Sequence, residues 1–225
     1  EWFVNRKIGN QIVPAYQYEV MPLHEMIADY MNGGWGKEGK EANYSAEAYV
    51  IRGTDMPSIA GGDFSSIPLR FHGEKNLVPR RIVRGDIAVE MSNGNMASVG
   101  RSLFFDGSLD GLLKKPFMCA SFCKMLRAKN IEYAYLIDMH LKYIHSSNGM
   151  LVYKSQGANG INNFRFEDMI HEEELNVPKG KILQAFAEKT KSIYDMISNL
   201  RIQIFFLKES RDILLPRLMS GEVEV

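Results

Sequence analysis

From Leu183 onward the apolar residues of this chain fall on alternating gaps of three and four: Leu183, Phe186, Thr190, Ile193, Ile197, Leu200, Ile204, Leu207, Arg211 and Leu214. Only Thr190 and Arg211 break the apolar set, and no glycine or proline lies between Lys181 and Leu215. A repeat averaging 3.5 residues holds one narrow stripe on one side of an α-helix, and such a stripe needs a partner helix along its length. The spacing predicts a single helix from Lys179 to Leu215, ended by Pro216 and roughly 55 Å long, far beyond the usual helix of about 11–12 residues. The competing reading is a core helix lying on its own domain, but the stripe outruns what the preceding domain covers. No second heptad run exists in the chain, so the partner helix is expected on another copy or another protein. Arg211 at an a position fits either a register or partner-choice device or the point where the seam frays.

The 225 residues suit one large domain or one domain plus an appendage, and 45% hydrophobic with 11% aromatic content suffices for a sizeable core. Lys+Arg and Asp+Glu balance at 27 each, so net charge gives no overall push toward nucleic acid or membrane, although local patches remain open. Cys119 and Cys123 are the two cysteines. With no further cysteine to complete a zinc site, they read as buried reduced thiols, and no metal or cofactor is expected. No apolar run approaches the ~18 residues of a membrane span, and no signal peptide opens the sequence. A cytoplasmic protein is the expectation.

The pattern along the chain predicts an α/β (α+β) domain with a twisted, irregular sheet over residues 1–178, followed by the long coiled-coil helix and tail over 179–225. Leu23, Met26, Ile27 and Tyr30 recur at helical spacing, predicting a helix over Pro22–Met31 that stops at Gly33-Gly34. Residues 32–43 read as an exposed loop. Short β-like pieces follow at Glu47–Arg52, Ile82-Val83, Asp86–Met91 and Ser102–Phe105. Helices are predicted over Pro116–Lys129 and Ile131–Tyr143, with Cys119 and Cys123 sharing a face of the first. A glycine-rich passage precedes a short piece from Phe164 to Ile170, and Leu175–Pro178 reads as an exit strand.

Catalytic patterns are missing. The histidines His24, His72, His140, His145 and His171 form no His-Glu-x-x-His, and there is no Gly-x-Ser-x-Gly elbow, P-loop or Gly-x-Gly-x-x-Gly turn. The Asn-Pro-Pro-Tyr or Asp-Pro-Pro-Tyr of an adenine methyltransferase is absent as well. Carboxylate runs such as Glu172-Glu173-Glu174 read as solvated faces. The expectation is a non-catalytic binding protein.

Basic residues concentrate at Arg70, His72, Lys75, Arg80, Arg81, Arg84 and Arg101, with Lys114-Lys115 after them. Amide and hydroxyl side chains gather with glycine in two loops, Ser92 to Arg101 and Lys154 to Asn163. Asn and Gln bond bidentately to adenine and Arg to guanine, while Lys, Ser and backbone amides hold phosphates. The candidate DNA contacts are Lys37, Arg52, Arg80, Arg81, Arg84, Asn93, Asn95, Ser98, Arg101, Lys154, Gln156, Asn159 and Asn162. Ordinary polar turns are the bland alternative for both loops.

Five segments, in this order, resemble one half of a type I restriction–modification specificity subunit. PLHEMIADYMNGGW (Pro22–Trp35) is similar to the helix and Gly-Gly turn opening a target recognition domain. YVIRGTDM (Tyr49–Met56) and VRGDIAVEMSNGNMASVGR (Val83–Arg101) are similar to its two sheet segments. SQGANGINNFRFEDMIHEEELNVP (Ser155–Pro178) resembles the closing loop, short helix and exit strand, and LKESRDILLPRLMSGEVEV (Leu207–Val225) the end of the last spacer helix and the subunit's C-terminus.

The resemblance implies a protein without catalytic activity of its own. It would read one half of a bipartite site in double-stranded DNA and carry the methyltransferase and restriction/translocase subunits there. In that family two spacer helices pack antiparallel and set the distance between half-sites. This chain has one domain and one helix where the complete subunit has two of each. It is therefore expected to form a homodimer, or to pair with another specificity half, through Leu183, Phe186, Ile193, Ile197, Leu200, Ile204, Leu207 and Leu214. The alternative, from a different class, is a non-enzymatic protein-binding scaffold that oligomerises through the same helix.

Overall fold

The computed structural model describes residues 7–8, 11–158 and 160–222. In chain order the elements are β1 (Lys7–Ile8), β2 (Gln11–Ile12), β3 (Tyr18–Pro22), α1 (Leu23–Met26), β4 (Ile27–Asn32), β5 (Ala46–Ile51), α2 (Met56–Ala60), β6 (Leu69–His72), α3 (Glu74–Arg80), β7 (Ile87–Glu90), β8 (Ser92–Asn93), β9 (Ser102–Phe104), β10 (Phe117–Cys119), β11 (Cys123–Ala128), α4 (Ile131–Ser146), β12 (Lys154–Gln156), β13 (Asn162–Phe164), α5 (Phe166–Glu172), β14 (Glu174–Pro178) and α6 (Gly180–Met219). The α/β expectation stands. The sheet is divided into small pieces: a four-stranded antiparallel sheet β4-β11-β7-β9, a mixed sheet β10-β5-β6, a small sheet β12-β13-β8, and the pairs β14-β3 and β1-β2.

The four-stranded sheet carries core on both faces. Ile87, Val89, Phe104 and Leu126 pack with Tyr135 and Leu136 of α4, while Ala88, Leu103, Cys123 and Met125 pack with Ile59, Phe64 and Phe117. A strand covered on both faces reads as a continuous apolar run, which periodicity alone does not separate from a buried helix. For that reason Pro116–Lys129, expected as one helix, is two strands joined by a tight turn in which Cys123 N donates to Ala120 O at 2.9 Å. Cys119 and Cys123 are both free and buried, as expected, but lie on different strands.

The helix expected over Pro22–Met31 shrinks to the single turn Leu23–Met26, and Ile27–Asn32 pairs antiparallel with β11, Tyr30 opposite Leu126. Strand pairing overrides local helical spacing here. Gly33 is required just beyond, because a Cβ there would lie 2.2 Å from the carbonyl oxygens of Cys119 and Ala120. The helix expected at Ile131 is present, capped by Asn130, whose side chain accepts from Tyr133 N at 2.8 Å. The exit strand is present as β14.

The long helix spans 40 residues, roughly 60 Å. It runs through Pro216 to Met219 rather than ending there. Proline removes one N–H, but in this exposed last turn the orphaned carbonyl faces water. Its first turns lie on the chain's own core, which corrects part of the expected seam. Phe186, Thr190 and Tyr194 are buried, and Leu183 is partly covered. The Tyr194 ring sits 4.5 Å from Phe104 and 5.3 Å from Tyr135, and its hydroxyl bonds the buried Asp138. Burying a ring such as Phe186 contributes about 2–3 kcal/mol. Beyond Tyr194 the helix keeps touching the domain through Arg201, Phe205 and Lys208, on a different face from Ile193, Leu200, Leu207 and Leu214, which stay exposed. From Glu209 onward every described residue is exposed.

Candidate nucleic-acid interface

The extended run Ile87–Asn93 changes partners midway. Through Glu90 it pairs with β11; Met91 N then donates to Phe122 O at 2.8 Å, Phe164 N donates to Met91 O at 2.8 Å, and β8 goes on to pair with β13. This handover gathers the Ser92–Gly94 turn, the β12–β13 hairpin and the turn at Ala120–Phe122. The two polar loops singled out in the sequence thus meet as one small sheet. Beside it opens a cleft of about 620 Å³, lined by Trp35, Arg52, Gly53, Thr54, Glu90, Ser92, Asn93, Gly94, Ala120, Ser121, Phe122, Cys123 and Ile161, within the size range of ligand-binding pockets.

Most of the candidate polar residues build this place rather than present free groups. Asn93 Nδ2 donates to Glu90 Oε1 at 2.6 Å, and Asn93 Oδ1 accepts from Asn95 N at 2.8 Å. Asn95 Oδ1 accepts from Ala97 N, so both side chains fix turns. Asn162, buried, donates to the carbonyls of Asn93 and Gly94 at 3.2 and 2.9 Å. Arg101 donates to Ser98 Oγ at 2.8 Å and to Gly53 O at 3.4 Å, and lies 3.9 Å from Glu90. Lys154 Nζ donates to Met96 O at 3.0 Å, and burial lowers its pKa. Arg52 forks onto Asp55 at 2.7 and 2.9 Å and reaches Ser66 O, and the Asp55 carboxylate raises its pKa. Gln156 is exposed on β12, and Asn159 lies outside the described residues.

The basic group expected over residues 80–84 does not converge on this cleft. Arg80 donates to Asn32 O and Asn76 O, and exposed Arg81 offers its carbonyl to Arg127. Arg84 pairs with Asp195 of α6 at 2.6 Å, tying the domain to the helix. Lys37 is half exposed, 3.8 Å from Glu41 and over the Tyr44 ring.

Sequence reasoning missed the cleft's apolar walls: Trp35, Phe122 and Ile161 are all exposed at its edge. Trp35 stood between two glycines as a signal. Phe122 was concealed by the mistaken helix. Also missed was Glu90, whose carboxyl burial pushes up in pKa, opposed by the Asn93 amide and the Arg101 charge. Gly53 leaves room for it, since a Cβ there would lie 2.0 Å from Glu90 Oε1 and push the Glu90 side chain aside. The Cys123 thiol on the same wall is pushed up to about 12 by burial, which leaves it unreactive. Among the described residues no group of three His, Cys, Asp or Glu side chains is arranged to hold a metal ion, and no helix is long and apolar enough to cross a membrane.

No protein-family model and no curated protein matches the sequence. Solved structures do match in fold. The type I restriction–modification S subunit from M. genitalium is 19% identical with a TM-score of 0.53, the match covering 90% of this chain and 46% of that one. A chain from a structure describing complex assembly and conformational transition of the type I R-M system is 11% identical with a TM-score of 0.50, covering 93% of this chain and 45% of that one. This chain therefore spans about half the length of the structures it matches. With its mixed α/β body and 40-residue C-terminal helix, the chain has the fold of one half of a type I restriction–modification S subunit.

Proposed function

We propose that this chain is a DNA specificity subunit, or half of one, of a type I restriction–modification system. It reads one half-site with its globular part, residues 1–178, and bridges the methyltransferase and restriction subunits to that site without catalysing a reaction itself. Residues 179–225 serve as the spacer arm, pairing with a second copy or another specificity half. The observation that carries this reading is the fold match over 90% of the chain to half of an S subunit. The meeting of the two amide-rich loops beside the cleft supports the same reading. The candidate reading surface is the cleft with exposed Gln156 beside it, supported by Lys37. Arg84 acts as a tether to the arm.

Binding to duplex DNA measured against salt tests this. Affinity should fall steeply as salt rises, with a sequence-dependent component persisting above the non-specific background. No detectable binding to a random duplex pool at low salt, with the methyltransferase partner present, would overturn the proposal. The same measurement separates it from a scaffold that binds protein alone.

A further inference from the structure

We propose that the cleft beside β8 receives a single nucleobase swung out of the duplex, and that the Glu90 carboxyl reads its exocyclic amino group, adenine N6 or cytosine N4. The inference rests on the DNA-reading function above and adds a binding site to it.

Groove readout is performed by an element that projects into the groove. Here the two polar loops border a cavity of about 620 Å³, and the side chains projecting at its edge are apolar. Phe122 is 65% exposed and Trp35 38% exposed, and both rings line the same cleft. The guanidinium of Arg70 lies 4.5 Å from the centre of the Trp35 ring and holds it in place. Exposed rings flanking a cleft are stacking surfaces for a base, which every base can use because each has a π face. Pockets for extrahelical bases combine such stacking with hydrogen bonds to the base edge.

Glu90 supplies the hydrogen-bonding group. It lines the cleft yet is only 2% exposed. Oε1 is satisfied by Asn93, while Oε2 has no hydrogen-bond partner, the Arg101 guanidinium standing 3.9 Å away. That distance is too long for a hydrogen bond. A buried acceptor without a donor is destabilising until a donor arrives. An amino N–H of adenine or cytosine is such a donor, whereas thymine presents a carbonyl oxygen at the equivalent place and would set acceptor against acceptor. The Asn93–Glu90 bond orients the carboxyl, and the absent side chain at Gly53 leaves it room.

The test begins with duplexes selected by the protein from a random pool at low salt, resynthesised with an abasic site opposite each selected position in turn. At one adenine or cytosine the abasic partner should tighten binding tenfold or more, because the cost of unpairing has been removed. Replacing that base with its amine-free analogue, purine for adenine or 2-pyrimidinone for cytosine, should weaken binding several-fold. Phe122→Ala, at a ring the fold leaves exposed, should cancel the tightening, and Glu90→Gln should relax the preference for an amino-bearing base. The inference is overturned if selected duplexes bind with steep salt dependence while no abasic substitution tightens binding and Phe122→Ala behaves as wild type; DNA reading would then stand with the cleft empty. Failure to select any duplex overturns DNA reading itself, and this inference with it.

Discussion

Arg201 Nη1, midway along the long helix, lies 2.5 Å from Asp106 Oδ2 in the turn after β9, and the same guanidinium donates to Ala60 O at 3.1 Å. Both side chains are largely buried. The pair is one of the contacts, with Arg84–Asp195 and Lys208–Asp63, that hold the helix against the domain. Removing one partner of a buried pair strands the other charge, so Arg201→Ala should lower stability by about 3–5 kcal/mol in denaturant unfolding. The neighbouring Lys208–Asp63 pair, at 3.0 Å, is far more open to solvent, and Lys208→Ala should cost under about 1 kcal/mol. Equal losses from the two substitutions would contradict the distinction between a buried and a solvent-open pair.

The exposed stripe beyond Tyr194 should behave as an association surface. Leu200 is 50% and Leu207 69% exposed, both on the face turned away from the domain. Replacing both with Asp should convert a dimer to a monomer in sedimentation while changing the monomer's own stability by about 0.5 kcal/mol or less per site. An unchanged mass would show that the stripe does not mediate self-association.

Two amides in the interface should separate into structural and reading roles. Asn93 uses both its amide nitrogen and its carbonyl oxygen within the chain, so Asn93→Ala should lower stability by about 1–2 kcal/mol. Gln156 is exposed on β12, and Gln156→Ala should leave the unfolding midpoint in place while altering base preference in a binding selection. A melting shift for Gln156→Ala matching that of Asn93→Ala would refute the division.

At Lys37 the expected change is in salt dependence. Its ammonium group is half exposed beside Glu41 and the Tyr44 ring, and loss of one phosphate contact reduces the slope of log affinity against log salt by about 1. Lys37→Ala should show that reduction for every duplex sequence alike, and a sequence-dependent loss would assign it a different role.

Acid should weaken the junction between α4, α5 and β14. Glu173 accepts from Tyr153 Oη at 2.8 Å and shares a hydrogen bond with His140 Nε2 at 2.8 Å. The His140 bond, reinforced by Tyr153 against the opposing effect of burial, holds the carboxyl below its usual value of 4.5. The unfolded chain therefore takes up this proton at higher pH than the folded one. The resulting stability is complete above about 4.5 and declines as pH falls through the lower folded value. Glu173→Gln should flatten the stability curve in that acid window, measured by unfolding at a series of pH values.

Local signals were sufficient where one residue or one repeat decides a conformation. The run Ile131–Tyr143 is long enough to announce its helix, and Leu175–Pro178 is the exit strand foreseen. The amide and glycine loops were visible from composition, although not their meeting across β8 and β13, which joins residues about seventy positions apart. Where a strand is buried on both faces, as in β11, periodicity carries no information, and the Cys119–Cys123 segment was mistaken for a helix. Phe122 was lost with it, because a residue at the turn between two strands cannot be recognised once the strands are misread.

The sequence by itself determined the long helix, since a 3.5-residue repeat free of glycine and internal breaks requires one, and it determined that part of that helix would face away from its own domain. Tertiary structure decided how the stripe is shared. Phe186, Thr190 and Tyr194 are drawn into the core by Phe104, Tyr135 and Asp138, while Leu200, Leu207 and Leu214 are left exposed. It also decided the cleft, whose aromatic walls and buried carboxyl come from separate segments of chain. The helix follows from interactions among residues three and four apart, which a sequence displays directly. The position of Glu90 depends on contacts with Gly53 and Cys123, more than thirty residues away on either side, and the division of the helix faces on contacts as distant in sequence as that of Lys208 with Asp63, which only the folded chain brings together.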